Sequence, residues 1–116
     1  MMCAVLLAMA MAHHSFAADF DITKPVALTG RVTRIEWMNP HVHVYIEVKN
    51  EQWSIEMGSP NGLAKRGWTP KTLKIGDAIT VRGSRAKDRS NLANARSIVL
   101  PDGTTLSAAP PEGKTS

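Results

Sequence analysis

The stretch His41-Val-His-Val-Tyr-Ile-Glu-Val48 constrains this chain more than any other, because its apolar and polar residues alternate without a break. Successive side chains of an extended strand point to opposite faces. Val42, Val44, Ile46 and Val48 therefore share one face, and His41, His43, Tyr45 and Glu47 the other. A helix would scatter both sets around its circumference, so a half-buried strand is expected here. Asn50-Glu51 offers a tight turn into a second strand from Gln52 to Met57, in which Trp53, Ile55 and Met57 form the apolar set. The two segments predict a β-hairpin.

A further strand is expected upstream, from Val26 to Trp37. Leu28, Gly30 and Val32 are in phase there, but Ile35 and Trp37 are not, and one extra residue near Thr33-Arg34 restores the register as a bulge that bends the strand. Downstream, Ser59 is placed to cap a short helical turn with Pro60 at its first position, and Gly67 to stop it. Ile75-Gly-Asp77 then turns into a strand from Ala78 to Gly83, and a last strand from Ala93 to Leu100 closes at Pro101-Asp-Gly103. Three strands, a short helical connection between strands 3 and 4, and two more strands give a small all-β chain. That order predicts an OB-like five-stranded partly open barrel.

The first twelve residues do not belong to this pattern. They form an uncharged apolar run ending in Ala10-Met11-Ala12, too short to span a bilayer core, which needs about 20 residues. Such a run reads as a signal peptide cut between Ala12 and His13. A secretory signal opens with basic residues and this one has none, so the true start is expected further upstream. The only cysteine, Cys3, lies within the run and lacks the context of a lipoprotein site. The mature chain would then be thiol-free, periplasmic or secreted, with a single domain at 13–106 and a disordered tail at 107–116 rich in Ala, Pro, Gly and Ser. The formal net charge of +4 is spread along the chain rather than gathered into a patch, which argues against nucleic acid as a partner.

His13-His-Ser-Phe16, Asn39-Pro-His41, Gly58-Ser-Pro-Asn-Gly-Leu63, Arg66-Gly-Trp68 and Gly76-Asp77 together resemble a family of small exported bacterial proteins classified only as a domain of unknown function. The resemblance covers nearly all of the mature chain and implies export and a single domain, but no activity. In this sequence His43 stands where the family pattern has a larger apolar or aromatic residue.

No phosphate-cradling glycine loop, nucleophile elbow or catalytic cysteine is present, and the sequence is read as that of a binding protein rather than an enzyme. Its four histidines lie in two local pairs, His13-His14 and His41-x-His43. The second pair has the spacing that puts both rings on one face of a strand. Imidazole is the usual ligand for copper, zinc and nickel in a protein without thiols. Cleavage after Ala12 would give His13 a free α-amine beside its own ring, a chelate resembling the histidine brace of exported copper proteins. Copper(II) favours such tetragonal nitrogen sites and heads the divalent affinity order. His13, His14, His41 and His43 are thus the candidate ligands, with copper the candidate ion. The bland reading leaves His13-His14 as a polar cleavage junction and His41 and His43 as solvent-facing strand residues.

A second function class is a binding module for carbohydrate or another anionic ligand, or for another exported protein. OB-folds take such ligands on the face of strands 2 and 3, where rings stack beside basic groups. Tyr45, Trp68, Lys65 and Arg66 are the candidates for that role. Against it, Trp68 reads equally well as a plug between the helical connection and the barrel, and Arg85, Lys87 and Arg89 as a solvated rim.

Overall fold

The computed structural model describes residues 19–109. The expected signal peptide, His13, His14 and residues 110–116 of the expected tail lie outside the described residues. The elements are β1 (Phe20–Glu36), β2 (His43–Val48), β3 (Glu51–Glu56), α1 (Pro60–Ala64), β4 (Ala78–Ala86), β5 (Leu92–Val99) and β6 (Thr105–Ser107). β1 lies between β2 and β4, β2 pairs with β3, and β4 pairs with β5, all antiparallel. A short parallel ladder, Ser54↔Leu92 to Glu56↔Asn94, then joins β3 to β5 and turns the sheet into a ring of five strands. β6 adds to β5 outside that circuit. The all-β, OB-like expectation holds, with the helical connection between the third and fourth strands.

The alternation around His41 to Val48 folds as its period dictates. Val42, Val44 and Ile46 are buried inside the ring, while His41, His43 and Tyr45 are half-buried on its outer side and Glu47 is exposed. Trp53, Ile55 and Met57 meet them from β3 and the residue that follows it. Ile46→Ala is accordingly expected to cost about 2 to 5 kcal/mol, since the removed atoms leave a cavity in a closed core, and Tyr45→Ala clearly less. Urea denaturation followed by tryptophan fluorescence measures both, and equal losses would contradict this register.

β1 carries the expected bulge, its register with β2 slipping between Val32 and Arg34 so that Val32 and Ile35 both keep to the core side. Ser59 caps α1, its Oγ accepting from the Gly62 N–H at 3.0 Å, with Pro60 in the first turn. Trp68 plugs the connection: its ring is buried, and its Nε1–H donates to the Ser107 carbonyl at 2.8 Å.

A sixth strand, β6, joins the five expected, and several boundaries differ from expectation. The hairpin turns at Lys49-Asn50, both with positive φ (50° and 69°), one residue earlier than Asn50-Glu51. β1 begins at Phe20 rather than Val26, its pairing with β4 skipping from Asp21 to Pro25. β4 runs through Gly83 to Ala86. The ordered chain continues past residue 106, because β6 ends at Ser107 and Ala108 is fully buried, its carbonyl accepting from the Gly58 N–H at 2.9 Å.

Candidate functional site

The outer face of β2 presents His43 and Tyr45, and His41 continues it just before the strand. Pairing sets their neighbours: His43 stands opposite Glu56 of β3 on one side and Glu36 of β1 on the other. His41 reaches the same carboxylate, its Nδ1 lying 3.3 Å from Glu56 Oε1. One imidazole thus touches the carboxylate, and the other stands opposite it across the β2–β3 ladder. The backbone here is held beside His41, with Val42 N–H donating to the Gly58 carbonyl at 3.0 Å and Met57 N–H to the Val42 carbonyl at 2.8 Å.

Burial pushes the Glu56 carboxyl above the usual carboxylate range. His41 and His43 pull it back, and Asp19 adds a weaker upward push. Asp19, the first described residue, is near enough to be felt by Glu56.

Tyr45 is engaged otherwise. Its hydroxyl donates to Glu36 Oε1 at 2.9 Å, and the Arg34 guanidinium, itself paired with Glu36, lies 5.3 Å from the ring centroid. The hydrogen bond to Glu36 raises the phenol above its usual range. The stacking face of Tyr45 is therefore covered by Arg34. Trp68 is withdrawn into the core, Lys65 is exposed at the end of α1, and Arg66 spends its guanidinium on the Gly62 carbonyl at 2.6 Å. The four residues considered for a stacking site thus offer no exposed aromatic platform between them.

Of the four candidate ligands, the described residues include His41 and His43 and place both on one face. Among the described residues no three His, Cys, Asp or Glu groups are arranged to hold a metal ion by themselves. Glu56 and Glu36 are not legible as their partners in the sequence, although both alternate outward on their own strands. No helix among the described residues is long and apolar enough to cross a membrane.

A family model described as a family of unknown function (DUF6152) matches residues 2–94. No curated protein matches the chain. Among solved structures, the complex of TiaS with an isoleucine tRNA and ATP is similar with a TM-score of 0.53 and 23% identity, over 69% of this chain and 18% of that one. A ZRD-deleted mutant of TiaS in complex with agmatine gives a TM-score of 0.53 and 23% identity, over 81% of this chain and 24% of that one. The chain spans less than a quarter of these proteins, and at this identity the likeness is one of fold.

Proposed function

The chain belongs to the family of unknown function DUF6152, and from that premise we propose that it is an exported, non-enzymatic protein that binds a metal ion, copper(II) by preference, through histidines on the outer face of β2 and at a processed N-terminus. The observation that carries this reading is the placement of His41 and His43 on one face around Glu56, with His41 Nδ1 3.3 Å from the carboxylate.

A carboxylate beside Nδ1 favours the tautomer whose proton sits there, and leaves the Nε2 lone pair free to coordinate. Carboxylates in this position orient metal-bound histidines and strengthen them as donors. Glu56 is then the residue that holds His41 in place, and His41 Nε2 and His43 are donors to the ion. Two imidazoles leave a copper site incomplete. The α-amine and ring of His13, with His14 beside it, would supply the missing nitrogens. Copper(II) is favoured because all these donors are nitrogens, which suit its tetragonal geometry, and because no thiolate is available to prefer another ion.

The reading is tested by titrating Cu(II) into protein that begins at His13, with a competing chelator to fix the affinity. Replacing His41 or His43 by alanine should weaken binding at least about tenfold, and Glu56→Gln, which keeps the shape but not the charge, by about 10- to 100-fold. Affinity unchanged in all three variants would discard the site. Loss in the histidine variants with none in Glu56→Gln would keep the ligands and remove Glu56 as the group that orients them.

A further inference from the structure

We propose that a cleft beside the β4–β5 hairpin binds a small polyvalent oxyanion, of the pyrophosphate or phosphomonoester kind. The cleft has a volume of about 350 Å³ and is lined by Asp21, Lys24, Arg85, Ala86, Lys87 and Arg89. None of these residues takes part in the histidine cluster, so this site and the metal site stand or fall separately.

Two irregularities of the fold bring the cations together. Between Asp21 and Pro25 the β1 strand leaves its register with β4 at Lys24, while Arg85 and Ala86 end β4 beside Asp21 and Phe20. The hairpin loop then adds Lys87 and Arg89, and the Lys87 N–H donates to the Asp19 carbonyl at 2.9 Å, tying the loop to the start of β1. Four cationic side chains therefore line a single concavity with one carboxylate. That carboxylate is satisfied locally: Asp21 Oδ1 accepts from the Thr23 N–H at 2.9 Å and the Thr23 hydroxyl at 2.6 Å. These bonds hold its pKa below the usual range, so it stays ionised and offsets only one of the cations.

The cations differ in kind, and the difference suits an oxyanion. Arg85 is fixed before any ligand arrives. Its Nη2 donates to the Arg89 carbonyl at 2.8 Å and to Asn91 Oδ1 at 3.3 Å, its Nε donates to the Ser90 carbonyl at 3.3 Å, and its guanidinium lies 4.9 Å from the centroid of the Trp53 ring. A planar guanidinium held on an aromatic face loses little freedom on binding an oxyanion. Asn91 is itself braced by Glu51, donating to its Oε2 at 2.9 Å. Lys24, Lys87 and Arg89 are exposed, and Asp21 is the lining carboxylate that feels Lys24 and Lys87. One fixed guanidinium, whose Nη1 donors those bonds leave over, and three adjustable charges match a ligand with several anionic oxygens better than a monovalent ion, which satisfies one or two of them and leaves the rest repelling each other. A sugar is a poor fit, since no aromatic face lines the cleft and Arg85 covers Trp53.

The test is calorimetric titration with pyrophosphate at constant ionic strength, on the wild-type chain and on a Lys87→Glu/Arg89→Glu double variant whose fold is checked by its melting temperature. Saturable binding tighter than about 1 mM is expected for the wild type. The double variant should lose at least about tenfold, while His41→Ala should bind as the wild type does. The same proteins are sedimented with vesicles of phosphatidylglycerol and of phosphatidylcholine, to separate a free anion from a lipid phosphate. No saturable pyrophosphate binding, equal affinity in the double variant, or binding to phosphatidylglycerol vesicles alone would each overturn the proposal.

Discussion

Gly83→Ala should cost at least about 4 kcal/mol, a large share of the roughly 5 to 15 kcal/mol that holds such a domain folded. Gly83 lies where the β4–β5 register slips between Arg82 and Gly83 and where β4 also pairs with Val26 of β1. A Cβ built on it runs into the Asn94 carbonyl, with the Asn94 carbon at 2.8 Å and the Ala95 Cα at 3.1 Å. All three obstacles are backbone, so no side chain can rotate to make room. Moving β5 away would pull it from β4 on one side or from its parallel ladder with β3 on the other, and that ladder is what closes the ring. Gly58 provides the contrast. It is buried, but a Cβ there meets its nearest atom, the Ala108 carbonyl oxygen, at an ordinary 3.6 Å. Gly58→Ala should therefore change stability by no more than about 1 kcal/mol. Urea denaturation of the two variants decides the matter, and similar midpoints would mean that β4 and β5 are not held as tightly as the ring requires.

That glycine also shows where the sequence is legible and where it is not. A glycine at the end of Ala78-Ile-Thr-Val-Arg-Gly83 reads as a strand terminator. In the ring it is the point at which two backbones press together, and β4 continues beyond it to Ala86. Close approach of strands is a property of the partner, which the local pattern does not contain. The alternation of His41 to Val48 is legible because burial on one face imposes period two on the residues themselves. The bulge near Thr33-Arg34 is legible for the same reason, as a break in that period.

The partner of the histidines is missed by a single residue. A turn at Asn50-Glu51 places His43 opposite Gly58, whereas the observed turn at Lys49-Asn50 places it opposite Glu56. The two registers differ by two positions, so every side chain keeps its face and the core is assigned correctly either way. Lys-Asn is a weaker signal for a turn with two positive φ values than Asn-Gly or Asp-Gly, so the local residues do not choose between the two registers. Ala108 is hidden for another reason. A small residue in a stretch rich in Ala, Pro and Gly carries no periodic signal, yet it is fully buried and closes hydrogen bonds with Gly58 and Arg96.

Adding one glycine in front of His13 should weaken Cu(II) binding by about 100-fold or more, if the α-amine and ring of His13 chelate the ion as proposed. The extension moves the amine out of the chelate ring and puts an amide in its place, while every imidazole stays where it was. A site made only of side chains would not respond. The stretch from His13 to Asp19 reaches at most about 20 Å when extended, and Asp19 is near enough to Glu56 to raise its pKa. The same comparison has a stability readout. An ion that binds only the folded chain adds RT ln(1 + [L]/Kd), about 4 kcal/mol when it is present at a thousandfold excess over Kd. Thermal unfolding with Cu(II) should show a large upward shift for protein beginning at His13, a much smaller one for the glycine-extended form, and a smaller one again when His41→Ala is added. Equal shifts in the first two forms would remove the amine from the site and leave a cluster of imidazoles around Glu56. No shift in any form would remove the metal, and with it the reason for two histidines to flank Glu56 on the outer face of the ring.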